Sequence, residues 1–135
     1  MCGLPLGMED GSIPDSNITA STTHGHCSTS NGRLNNLGGN GKAGAWCAAS
    51  GDRQAPWFQV DLGEQTQVEG VITQGRSDAN QHVTAYQVQY SDDETDWQYV
   101  TDGTNVNDAQ VGEDLQTLIN QCCTVLHRSR PIQKS

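Results

Sequence analysis

The sequence predicts an all-β domain, an antiparallel sandwich or jelly roll, and three observations carry that prediction. At 135 residues the chain has room for one domain. Only 33% of it is apolar, and 15 glycines with long Ser/Thr/Asn runs make up the difference, which is the texture of a loop-rich fold. Short alternating segments then follow one another closely, as the strands of a sandwich do.

In order along the chain, residues 20–56 are turn-rich, centred on Leu37-Gly38-Gly39-Asn40-Gly41-Lys42. Strands are predicted at Trp57–Leu62, ending at Gly63, and at Val68–Thr73, ending at Gly75. A third, Val83–Tyr90, sets Tyr86, Val88 and Tyr90 on one face and Gln87 and Gln89 on the other. The acidic turn Ser91–Asp96 leads into a fourth strand, Trp97–Val100. From about Asp108 the pattern changes. Val111, Leu115, Leu118, Ile119 and Cys122 form an apolar stripe that predicts a helix over 111–123, followed by a basic tail, Leu126–Ser135.

No apolar run approaches the roughly 18 residues of a membrane helix, and the first residues show no signal peptide. The net charge of -9 divides as -1 over residues 1–60, -11 over 61–120 and +3 over 121–135. That sign disfavours nucleic acid, whose binding is driven by Lys and Arg, and it also disfavours an anionic membrane. Five cysteines point to an oxidising, extracellular compartment, within a larger secreted or cell-surface protein. Asn17-Ile18-Thr19 is an N-glycosylation acceptor, placing the candidate glycan on Asn17. Enzyme motifs fail on inspection. Gly38–Ala43 lacks the spacing, the Ser/Thr and the following helix of a P-loop, and no G-x-S-x-G occurs.

Several stretches together resemble the discoidin domain, the coagulation factor five/eight type C family. They are Cys2–Gly11, Ile13-Pro14-Asp15, Ile18–Ser21, Gly32–Asn35, Gly44-Ala45-Trp46, Trp57–Gly63, Val71–Arg76 and Tyr86–Ser91. The resemblance implies an antiparallel jelly-roll β-sandwich of eight strands, non-catalytic, with binding loops at one end. On it, residues 2–107 form an incomplete discoidin-like domain and 108–135 a divergent C-terminal segment. The family's closing strands and the terminal cysteine that pairs with Cys2 have no counterpart after Asp102. Either a helix over 111–123 covers the exposed edges, or the end is an altered one that folds poorly. The second reading is preferred, because nothing local prepares a helix to replace ladder hydrogen bonds.

Three segments correspond to the family's binding loops: Thr22–Gly32, Asn36–Gly44 and Arg76–Gln81. Their only bulky apolar residue is Leu37, worth about 2 kcal/mol on insertion, so phospholipid is the least favoured ligand. Arg76, Asp78, Asn80, His82, His24, His26 and Asn31 instead supply the donors and acceptors that sugar hydroxyls need. The expected function is recognition of galactose-type glycans or glycoproteins on cell surfaces or matrix, in cell adhesion. Weak single sites would be strengthened by multivalent assembly. The alternative is an adhesion module for matrix or receptor proteins. Arg76-Ser77-Asp78 differs from the integrin tripeptide by one residue, a weak signal.

His24-x-His26-Cys27 could begin a zinc site but lacks a fourth ligand, and a disulfide between Cys27 and Cys47 is preferred. No cofactor is expected. The resemblance leaves room for one structural calcium near the binding loops, while Asp92-Asp93-Glu94 and Asp96 lack the spacing of an EF-hand and read as a solvated turn. Trp46, Trp57 and Trp97 are assigned to the core, and the resemblance implies that Arg33 and Asp61 are framework residues ion-paired inside the domain.

Overall fold

The computed structural model describes residues 5–52, 56–64, 66, 68, 71, 73–83, 86–99 and 124–127. Their regular structure is five short strands and two single-turn 3-10 helices, at Asp15–Asn17 and Thr29–Gly32. The strands are β1 (Ile18–Ala20), β2 (Trp57–Val60), β3 (Val88–Tyr90), β4 (Gln98–Tyr99) and β5 (Thr124–His127). They form one sheet in the order β1-β2-β5-β3-β4.

Alternation in sequence becomes alternation in burial. Strand β1 pairs antiparallel with β2, setting Ile18 opposite Val60 and Ala20 opposite Phe58. Ile18, Phe58 and Val60 are buried, Thr19 is exposed and Gln59 half-buried, as a one-face pattern requires. Beneath this face, Ile13, Trp46, Ala48 and Val83 complete the core, with Met8, Leu62 and Tyr86 packed against it. Trp46 is 0% exposed. Its ring meets Phe58 at 5.3 Å between centroids and 49° between planes, and its indole N–H donates to the Thr22 carbonyl at 3.0 Å. The one polar atom of a buried indole is thereby satisfied. Trp57 and Trp97, assigned to the core from sequence, are half-buried.

Strand pairing departs from the expected wholly antiparallel sheet. β3 and β4 pair antiparallel, but β5 lies between β2 and β3 and runs parallel to both. The sheet is mixed because a segment distant in sequence enters its middle, where its backbone is hydrogen-bonded on both sides. Leu126 and His127, expected in a basic tail, belong to this strand. The predicted helix 111–123, the rest of the tail and Cys2 lie outside the described residues. The strands Trp57–Leu62 and Val83–Tyr90 are realised over shorter spans, and the described residues of 68–73 are not in a strand.

Arg33 serves the framework, and its partner is Asp15. The guanidinium meets the Asp15 carboxylate at 2.6 Å and also donates to the carbonyls of Ile13 at 2.7 Å and Met8 at 3.0 Å. Asp61 closes its own turn, accepting from the Gly63 amide at 2.8 Å. Asn17 and Asp61 clasp β1 to β2: the Asp61 amide donates to the Asn17 carbonyl, and Asn17 Nδ2 to the Asp61 carbonyl at 3.0 Å. The amide nitrogen of the predicted glycosylation acceptor is therefore engaged in holding two strands.

Candidate functional site

The three loops singled out from sequence are cross-linked into one unit. A disulfide joins Cys27 of the first loop to Cys47 just beyond the second, with Cα atoms 5.1 Å apart. Both cysteines are buried, and with Ala43 they form a small second core. Cys27 is thus a disulfide partner rather than a zinc ligand. Backbone bonds reinforce the staple, from the Ala43 amide to the His26 carbonyl at 2.8 Å and from His24 to Cys47 at 2.8 Å.

Asn31 works inside this assembly. Only 6% exposed, it donates from Nδ2 to the His26 carbonyl at 2.8 Å and accepts from the Ser28 hydroxyl at 3.1 Å. Its carbonyl accepts from Asn36 Nδ2 at 3.0 Å, which ties the start of the second loop to the first. The sequence placed Asn31 among ligand-binding groups; the structure puts it beneath them, as an organiser of both loops.

The third loop is locked to the second by a carboxylate. Asp78 Oδ1 accepts from the Gly44 amide at 2.9 Å and from Arg76 Nε at 2.7 Å, and Oδ2 from Arg76 Nη2 at 3.3 Å. Nη1 of Arg76 donates to Gln81 Oε1 at 2.7 Å. The Ser77 hydroxyl accepts from the Gly38 amide at 3.1 Å. Hydrogen bonding from Arg76, then from Gly44, holds the Asp78 carboxyl down at about 2, and the same bond raises Arg76 above its usual range against the opposing effect of burial. Arg76 and Asp78, the expected centre of a sugar site, therefore bind each other and Gly44.

Two glycines permit this approach. A Cβ on Gly38 would stand 2.6 Å from the Asp78 carboxylate, and one on Gly44 would overlap Ser77 Oγ. Neither Ser77 nor these glycines were singled out as functional from sequence. Polar residues opposite a glycine-rich loop were the available signal.

A further carboxylate braces the first loop from below. Asp52 accepts from the hydroxyls of Ser21 at 2.5 Å and Thr22 at 2.8 Å, and those bonds, Ser21's first, lower its affinity for a proton. The same hydroxyls accept from the Trp57 and Ala49 amides.

Among the residues exposed on or beside these loops are His24, His26, Leu37, Lys42, Asn80 and His82, and Asp78 is exposed as well although its carboxylate is bonded. Leu37 is 78% exposed, against 44% for Leu6 and 45% for Tyr99. Among the described residues, no group of three or more His, Cys, Asp or Glu side chains gathers as a metal site, and no helix is long and apolar enough to cross a membrane. The acidic turn is organised by Asp93, which accepts from the amides of Thr95 and Asp96, both at 2.9 Å, and from the Ser91 hydroxyl at 3.0 Å.

One β-sheet over a buried tryptophan, with bundled loops beside it, defines an all-β module, and the chain belongs to the F5/8 type C domain family, whose model matches residues 17–120 and whose fold is a β-sandwich. It is 42% identical over 114 residues to rat lactadherin and 39% identical over 113 residues to human EGF-like repeat and discoidin I-like domain-containing protein 3, each alignment covering 77% of this chain. Over 98 residues, 71% of the chain, it is 39% identical to the venom prothrombin activator pseutarin-C non-catalytic subunit of Pseudonaja textilis. It spans only 26%, 23% and 6% of those proteins' own lengths, so it corresponds to one module of each.

Proposed function

We propose that this domain is a non-catalytic extracellular recognition module that binds galactose-type glycans of cell surfaces or matrix through its three-loop end. We extend the β-sandwich to the eight-stranded jelly roll of the family. The observation that carries the reading is the cross-linking of the loops. A disulfide, the Asn31 bonds and the Arg76–Asp78–Gly44 latch hold them together, while His24, His26, Asn80 and His82 stay exposed. Loops fixed before binding lose little further entropy when a ligand arrives. Polar tips suit hydroxyl groups, and one leucine gives only about 2 kcal/mol toward a bilayer. An extracellular setting fits the disulfide, and the word "non-catalytic" in one relative's name agrees with the absence of an enzyme motif.

Thermal unfolding with and without galactose tests this. A ligand that binds only the native state raises Tm, by an amount worth roughly 2.7 kcal/mol at a hundredfold excess over Kd. The rise should vanish in His82→Ala. A Tm indifferent to galactose would remove the glycan reading.

The exposure of Leu37 supports a second reading, attachment to anionic phospholipid. Co-sedimentation with phosphatidylserine vesicles that is abolished by Leu37→Ser would favour it. Binding to neither sugar nor vesicle would leave a protein ligand as the remaining class.

A further inference from the structure

We propose that Asn40, at the tip of the second loop, is a site of spontaneous deamidation that installs an aspartyl or isoaspartyl residue among the recognition loops. The chain contains two Asn-Gly steps, Asn31-Gly32 and Asn40-Gly41, and the structure treats them oppositely. The inference stands apart from the identity of the ligand.

The chemistry needs only water. The backbone nitrogen of Gly41 attacks Cγ of Asn40; the new C–N bond closes a five-membered succinimide as the Cγ–Nδ2 bond breaks. The amide proton of Gly41 departs with Nδ2 as ammonia. Water then adds to one of the two imide carbonyls. Opening at the backbone carbonyl carbon leaves an isoaspartyl linkage, and opening at Cγ leaves aspartate. A following glycine favours the attack, because no side chain shields its nitrogen and its backbone turns freely. Asparagine is accordingly among the chemically labile residues of proteins.

Closing that ring requires the peptide after the asparagine to swing toward its own side chain. At Asn40 the restraint is slight. Residues 39–42 form a tight turn closed by two backbone bonds, Gly39 N to Lys42 O at 2.9 Å and Lys42 N to Gly39 O at 3.0 Å. Gly39, Asn40, Gly41 and Lys42 are all exposed. Asn40 has φ 54° and Gly41 φ 78°, the left-handed backbone that Asn and Gly tolerate best. Opening such a tip is a local event near the low end of the stability scale.

At Asn31 the same reaction must dismantle the site. Its side chain is buried, its Nδ2 is held by the His26 carbonyl, and its Oδ1 by Ser28. Gly32 is packed so closely that a Cβ there would lie 3.0 Å from the Phe58 ring. Reaction at Asn31 therefore awaits a much larger opening.

The conversion adds one negative charge beside Lys42. In the isoaspartyl form it also lengthens the backbone by one methylene, which breaks the closed turn that neighbours Leu37.

The test is incubation of the full chain in warm, mildly alkaline buffer, with peptide mapping by mass spectrometry and enzymatic labelling of isoaspartate. In the folded chain Asn40 should convert more than about tenfold faster than Asn31, the protection expected of a buried, bonded group over an exposed tip. In denaturant the two rates should converge, since both steps are Asn-Gly. Asn40→Gln should remove the fast release of ammonia, because its side chain would have to close a larger ring. Asn31 keeping pace in the folded chain overturns the proposal. So does an Asn40 that converts only in denaturant, or ammonia release unchanged in Asn40→Gln.

Discussion

Two turns of this domain use an aspartate in opposite ways. Asp93 accepts from Ser91, Thr95 and Asp96, all within three residues of itself, and so its carboxylate closes a local turn. Asp78 accepts from its neighbour Arg76 but also from Gly44, 34 residues away, and so joins two loops. In each case hydrogen bonds lower the carboxyl's proton affinity, and by itself that says nothing about reach. Reach depends on what stands opposite: a glycine amide that can come close, in a loop already stapled in place.

The comparison is broken most severely by removing the staple. Replacing both Cys27 and Cys47 with serine should lower stability by roughly 2–5 kcal/mol, read as a reduced midpoint in chemical denaturation. Gly44→Ala comes next, since its Cβ would meet Ser77 Oγ. Overpacking of this kind costs about 1–3 kcal/mol, and Gly44→Ala with Ser77→Gly should recover part of the loss if the clash is the cause.

Acid probes the Asp78 latch directly. The Asp78 carboxyl titrates at about 2, below the ordinary 3.8, so the folded chain binds that proton less readily than the unfolded chain. Its stabilisation is complete above about pH 4 and is lost as pH falls toward 2. The dependence of Tm on pH in that window should be shallower in Asp78→Asn. Hydrogen exchange at the Gly44 amide should quicken in that variant even at neutral pH. The smallest effect is expected from Asp93→Ala, which should quicken exchange at Thr95 and Asp96 and leave Gly44 untouched. A change at Gly44 would show that the acidic turn is not self-contained.

What the sequence made legible follows the same division between near and far. The alternation in Trp57-Phe58-Gln59-Val60 predicted β2, and the turn residues of 20–56 predicted a long loop region, because both signals lie within a few neighbouring residues. The Cys27–Cys47 bridge was also legible, since cysteines are few and the loops were already placed side by side. Roles that depend on distant partners were not. In sequence, Arg76 and Asp78 read as ligand groups because they are polar, close together and in a loop; nothing local reveals that Gly44 also bonds to Asp78 from across the gap. The burial of Asn31 was not legible for the same reason: it comes with contacts to His26 and Asn36 that sequence does not rank above solvent. β5 was hidden by its surroundings, a helical stripe before it and basic residues after it, while its pairing with β2 joins positions 67 apart, as Trp57 lies opposite Thr124.

The disulfide has one more consequence, for what happens when the chain is cut. Cys27 and Cys47 close a covalent ring that contains the whole second loop, with Lys42 exposed in its tip. A trypsin-like protease cleaving after Lys42 would sever the backbone without releasing either half. The two fragments would travel together until a reductant parted them. A single nick in this exposed loop therefore cannot detach it.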